Sequence, residues 1–195
     1  MWVHESFTNY SENLYVEYYF GKDAGSEYVL GTRTKIRNDR PVTGIYNVNY
    51  EGSGDMYYKG GNMLHTLRQI INDDEKWRGI LRGINKDFYH QVVKGSQIEE
   101  YLTEKTGINL KTFFDQYLRD VRIPVFEYYV KGNNLTFRWN NCVAGFSMPL
   151  KIYVSGKETY IKPKTGFSTI KIDSENAVII VDPGYYIATL NMTGK

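Results

Sequence analysis

The spacing of apolar residues changes once along this chain, at Pro124, and that change constrains the fold more than any single motif. Ahead of it, apolar side chains recur three and four apart, the period of a helix with one buried stripe; beyond it they alternate or come in short runs, as in strands. Val3, Phe7, Tyr10, Leu14 and Tyr18 predict a first helix that stops at Gly21, and a short second helix is expected over Glu27 to Ile36. Arg37 to Asp55, rich in Gly, Asn and Tyr, shows no helical period and reads as a long ordered loop. Such loops are uncommon inside compact domains; this one either lines a binding site or is a surface excursion. Met63, Leu64, Leu67, Ile70 and Ile71 mark the next helix, and Trp77, Ile80, Leu81, Ile84 and Phe88 another, with Asp73 and Asp74 placed to cap it. Ser96 and Glu99 have capping-box spacing ahead of Ile98, Tyr101 and Leu102, and Gly107 stands where a left-handed cap is wanted. Phe113, Phe114, Tyr117, Leu118 and Val121 form the last helical stripe, which Pro124 closes.

Beyond the proline, Phe126 to Val130, Leu135 to Trp139, Leu150 to Val154 and Ile170 to Ile172 read as strands, and Tyr185 to Leu190 as a final one. Turn residues fall between them at Lys131 to Asn134, Ser155 to Lys157 and Pro183-Gly184. Roughly seven short strands at this spacing predict a small antiparallel β-sandwich. The expected fold class is therefore α+β in two units, an all-helical one over residues 1–122 and a β-sandwich over 123–195.

Composition narrows the function classes. The 24 Lys and Arg nearly balance 22 Asp and Glu, and a net charge of +2 offers no electrostatic footprint for nucleic acid or an anionic membrane. A single cysteine, Cys142, excludes an internal disulfide and every cysteine-based zinc pattern, so any metal site must draw on His, Glu or Asp. No apolar run reaches the roughly 20 residues of a membrane span, and residues 1–20 lack the basic start and apolar stretch of a signal peptide. The first residues, Met-Trp-Val-His-Glu-Ser-Phe, already read as the interior of a helix, as expected of a piece cut from a longer polypeptide.

Candidate chemistry sits mainly on the first helix. Glu5 and Glu12 stand two turns apart, roughly 10 Å along one face, a pattern that also describes an ordinary solvated helix face. His4 does not open an H-E-x-x-H motif, because the fourth residue after it is Thr8. His65 and His90 lie on different predicted helices without ligand spacing and read as core or surface residues.

The segment Trp2-Val-His-Glu5-Ser-Phe7-Thr-Asn-Tyr10-Ser-Glu12 resembles the W-x-x-E-G-F-x-x-Y-x-E stretch of the M1 family of gluzincin zinc aminopeptidases, with Ser6 where glycine is usual. Met56-Tyr57-Tyr58-Lys59-Gly60-Gly61, leading into an apolar helix, resembles the family's Y-x-K-G segment. The order of elements through Thr112-Phe-Phe-Asp-Gln-Tyr-Leu118, Pro124 and the sandwich is similar too, so the likeness spans nearly the whole chain. It implies that the helical unit is the C-terminal lobe of a thermolysin-like catalytic domain. Glu5 becomes the third zinc ligand, Glu12 a carboxylate supporting the site from behind, and Tyr57 the residue that stabilises the tetrahedral intermediate. The family's H-E-x-x-H precedes the ligand glutamate by about 18 residues and is not in this chain. By resemblance, a missing upstream half of the same polypeptide supplies two histidine ligands and the general base. The implied function is hydrolysis of N-terminal residues from peptides by a zinc-activated water, with Zn2+ as cofactor of the intact parent; the chain alone is expected to be inactive and to bind zinc poorly. Two other readings remain open at this point. One is a catalytically dead relative; the other is a free-standing helical and β-sandwich module whose 18 tyrosines contact peptides, proteins or glycans.

Overall fold

The computed structural model describes residues 1–175 and 177–194. The chain divides into two compact units, the first from Met1 to Val121 and the second beginning at Arg122.

In the first unit, α1 (Trp2–Phe20) ends at Gly21, whose φ of 95° lies in the left-handed region. Next come α2 (Lys22–Gly31) and a 3-10 turn (Thr32–Lys35), so the second helix starts and stops earlier than the expected Glu27 to Ile36. After the long loop, a 3-10 turn (Gly54–Met56) leads into α3 (Tyr58–Ile71), α4 (Asp74–Asp87), α5 (Gly95–Thr106) and α6 (Lys111–Arg119). Helix α3 is the hub, buried on nearly every side from Lys59 to Arg68. Asp73 caps α4 through the Lys76 N–H at 2.9 Å, and Gly107 ends α5 at φ 74°. The expected Ser96/Glu99 box is replaced by Gln97, whose side chain accepts from the Lys94 N–H at 2.8 Å; the helix starts two residues earlier than that spacing assumes. Val121 and His90 fall outside helices. Helix α6 stops at Arg119, and His90 sits in a turn after α4 with φ 53°.

The apolar stripe expected on α1 is only partly its buried face. Tyr10 is buried, but Tyr18 is 81% exposed, while Trp2 and the polar Ser6, Asn9 and Asn13 face inward. The reason is a close helix crossing. Gly60 and Gly61 of α3 lie against Ser6 and Asn9, a distance that small side chains permit and a Leu or Phe would not.

Among the described residues the second unit holds seven strands: β1 (Val125–Lys131), β2 (Asn134–Asn140), β3 (Leu150–Val154), β4 (Lys157–Ile161), β5 (Ser168–Lys171), β6 (Ile179–Val181) and β7 (Ala188–Asn191). They form a four-stranded sheet in the order β5-β2-β1-β7 and a three-stranded sheet in the order β4-β3-β6. The pairing is antiparallel except that β7 runs parallel to β1, a departure from the purely antiparallel expectation. Period-two alternation gives only the faces of a strand, so it cannot distinguish the two directions. Phe126, Leu135, Phe137, Trp139, Phe146 and Leu150 are buried in this unit, and the Trp139 indole donates to the Met148 carbonyl at 3.1 Å.

Candidate active site

The two motifs of the helical unit meet through one hydrogen bond. Ser6 of α1 is fully buried, and its Oγ donates to the carbonyl of Met56 at 2.8 Å. That carbonyl immediately precedes Tyr57, which is the N-cap of α3 and accepts from the Gly61 N–H at 2.8 Å. Ser6 thus holds the start of α3 beside the first turns of α1, where the half-buried Glu5 projects. The Tyr57 phenol is 42% exposed and lies within the electrostatic reach of Glu5. The nearby Glu5 carboxylate first, then partial desolvation, raise its pKa above the ordinary value, with a smaller push from Glu51. A phenol displaced in that direction keeps its proton throughout the neutral range, so it is a hydrogen-bond donor there.

The adjacent tyrosines diverge. Tyr58 accepts from the Lys35 ammonium at 3.4 Å, with that cation 4.8 Å from its ring centroid, so it is Tyr57 that faces Glu5. Lys59, the charged residue of the same motif, is buried and donates to the Asp120 carbonyl at 2.9 Å. Burial pushes its ammonium below the ordinary pKa, against the opposing pull of Asp55 and Asp120. Asp55 in turn accepts from the N–H groups of Arg37 and Asn38 at 2.9 and 2.6 Å, tying the long loop to the base of α3.

Glu12 is placed elsewhere. Its carboxylate accepts from the Tyr28 hydroxyl of α2 at 2.6 Å and from Asn9 at 3.3 Å, and the first of these bonds pushes the Tyr28 phenol up to about 12. His65 is buried against Tyr10, with ring centroids 6.3 Å apart, and lies 3.2 Å from Gln69; His90 is exposed and stacks on Tyr89 at 4.2 Å. Sequence reasoning missed the residues that set α1 in place. Arg68 forms a two-pronged ion pair with Glu17 and reaches Asp74 at 2.8 Å, while Trp77 donates to the buried Tyr10 hydroxyl at 3.1 Å. The Gly60-Gly61 pair inside an apolar helix was the available signal for a close crossing.

Among the described residues, no group of three or more His, Cys, Asp or Glu is arranged to hold a metal ion. Glu5 fits a metal as one oxygen ligand: it is a half-buried carboxylate beside the Tyr57 phenol. No helix among the described residues is long and apolar enough to cross a membrane.

The fold is that of an aminopeptidase. The structure of Legionella pneumophila aminopeptidase A in complex with aspartic acid superimposes with a TM-score of 0.69 over 95% of this chain and 23% of its own, at 12% identity. In sequence, the chain is similar to aminopeptidase N of Lactococcus lactis subsp. lactis, 26% identical over 139 residues that cover 64% of this chain and 16% of that protein. No family model matches. The chain spans less than a quarter of the length of either relative.

Proposed function

We propose that this chain is the part of an M1-type zinc aminopeptidase that carries the third zinc ligand, Glu5, and the oxyanion-stabilising phenol, Tyr57. In this reading residues 1–122 are the helical lobe of a metallopeptidase catalytic domain that lacks its H-E-x-x-H helix, and 123–195 are the β-sandwich domain that follows. The observation that carries it is the meeting of Glu5 and Tyr57, far apart in sequence, through the Ser6 to Met56 hydrogen bond. The upstream half of the polypeptide supplies the remaining ligands and the base. When bound, zinc supplies Lewis acidity toward a peptide carbonyl and lowers the pKa of its water toward about 7. Glu5 contributes a carboxylate oxygen and negative charge. Tyr57, protonated at neutral pH, donates to the oxygen that becomes negative as the peptide carbonyl is attacked. Glu12 acts through Asn9 and Tyr28, by holding the face of α1 that presents Glu5. The chain by itself lacks a complete ligand set, and it is inactive and binds zinc weakly.

The test is Tyr57→Phe in the intact enzyme. Loss of one oxyanion donor lowers turnover by about 100- to 1000-fold with the Michaelis constant little changed. A change confined to the Michaelis constant removes Tyr57 from this role.

A further inference from the structure

The near-neutral charge of the whole chain conceals an uneven split. The second unit, from Arg122 on, carries nine Lys and Arg against five Asp and Glu, leaving fifteen against seventeen in the helical unit. Within the sandwich, Arg138 pairs with Glu127, Lys151 with Asp182 and Lys157 with Asp173. Lys131, Lys162, Lys164 and Lys171 are exposed and have no ion-pair partner among the described residues. Two of these four stand on the outer face of the four-stranded sheet. Leu135, Phe137 and Trp139 of β2 turn into the core, so Asn134, Thr136 and Arg138 turn out. The register sets Lys171 of β5 and Lys131 of β1 on either side of Asn134, and Thr169 and Tyr129 on either side of Thr136. Phe167, just ahead of β5 and 49% exposed, extends the same row. The Arg138 guanidinium lies over its ring, 4.3 Å from the centroid, and the Tyr129 ring meets it at 68° with centroids 6.1 Å apart. Arg138 is itself fixed by the buried Glu127, which also accepts from the Asn140 amide at 2.8 Å. A ring braced in this way, with half its surface left in water, offers a flat apolar platform whose ordering is already complete before anything binds. Beside it the Thr136 and Thr169 hydroxyls share a hydrogen bond at 2.9 Å, and the two free lysines follow, Lys171 lying about 13 Å along the extended chain from Phe167.

We propose that this sheet face binds an anionic oligosaccharide of the uronic-acid type, one sugar ring stacked on Phe167 and the carboxylates of its neighbours drawn to Lys171 and Lys131. An apolar platform, then hydroxyls and an amide, then cations in one line match the three chemistries of such a chain. The C–H face of a sugar ring lies flat on an aromatic ring, its hydroxyls exchange hydrogen bonds, and its carboxylates supply charge. An acidic peptide carries the charge without the flat C–H face. The site is built from the second unit alone and does not rest on the reading of Glu5 and Tyr57.

The 195-residue chain is titrated with a linear tetramer of galacturonic acid, with the methyl ester of that tetramer and with tetraglutamate, and followed by backbone amide shifts. Saturable shifts with the acid tetramer are expected in residues 129–138 and 167–171. Phe167→Ala weakens binding by about tenfold or more, and Phe167→Trp preserves it. Lys171→Gln and Lys131→Gln each weaken it about two- to fivefold, and the methyl ester binds more weakly than the acid by about the same factor or more. Phe167→Leu guards against a folding defect: it keeps an apolar contact on Arg138 and removes only the flat ring, and its dispersed amide spectrum verifies that the sandwich is intact. The site is overturned if these amides do not move at millimolar acid tetramer, or if Phe167→Leu binds as tightly as the wild type. It is overturned equally if the methyl ester matches the acid, which removes the charge recognition, or if tetraglutamate moves the same amides as strongly, which makes the face a surface for anions in general.

Discussion

Gly60→Ala tests the helix crossing on which the candidate site depends. A methyl group at Gly60 stands 2.6 Å from the Ser6 Cβ and 3.3 Å from its Cα, where ordinary contact begins at 3.4 Å; the helices must separate by about 0.8 Å. Two effects of opposite sign compete. Alanine in place of glycine within α3 favours the helix by about 0.8–1 kcal/mol. Overpacking costs about 1–3 kcal/mol, and loss of the buried Ser6 to Met56 hydrogen bond, leaving the carbonyl without its partner, costs about 1–3 kcal/mol more. The unfavourable terms win, and Gly60→Ala destabilises the helical unit by about 1–5 kcal/mol. Gly79→Ala is the control. Gly79 is exposed in α4 with nothing near its missing Cβ, so there only the helical gain operates. Urea unfolding followed at 222 nm measures both, and adding Ser6→Gly to Gly60→Ala recovers part of the loss by removing the colliding side chain. A Gly60→Ala variant as stabilised as Gly79→Ala would show that the crossing is not close and refute the account of how Tyr57 reaches Glu5.

Two further outcomes follow from the ion-pair cluster at the other end of α1. Arg68→Met, which leaves the Glu17 carboxylate half-buried without its cation, destabilises the unit by about 3–5 kcal/mol, read from the same urea transitions. The Arg68 guanidinium holds the Asp74 carboxyl well below the usual carboxylate range, with Lys22 assisting. A folded-state pKa depressed in this way contributes stability that is present above the unfolded value of about 4 and is lost as pH falls through the folded one. Wild-type stability therefore drops more steeply below about pH 4 than that of Asp74→Asn; parallel acid profiles of the two proteins contradict the pairing.

How much of this was legible from the chain differs between elements. Helix α4 was, because Trp77 and Ile80 point to the core from a strongly two-sided helix and Asp73 caps it, both local properties. The buried face of α1 was not. Its inward Ser6, Asn9 and Asn13 are polar, and nothing about them in isolation shows that Gly60 and Gly61 stand opposite. Likewise Glu5 and Tyr57 could be named from motif resemblance, but their nearness depends on Ser6 meeting Met56, a hydrogen bond between residues fifty apart. The parallel pairing of β1 with β7 was hidden for a related reason, since the pattern of one strand carries no information about which partner lies beside it or in which direction.

By itself, then, the sequence determined the change from helices to strands at Pro124, the turns and caps, the cysteine-free chemistry and the similarity to aminopeptidases. All of these rest on periods and motifs a few residues long. Only the tertiary structure decided which tyrosine faces Glu5, that Glu12 is engaged by Tyr28, that Lys59 is a buried strut, and that Arg138 lies over Phe167. Those are set by the close packing of elements distant in the chain, where a glycine on one helix permits a serine on another, and interactions of that range leave no periodic trace in either segment alone.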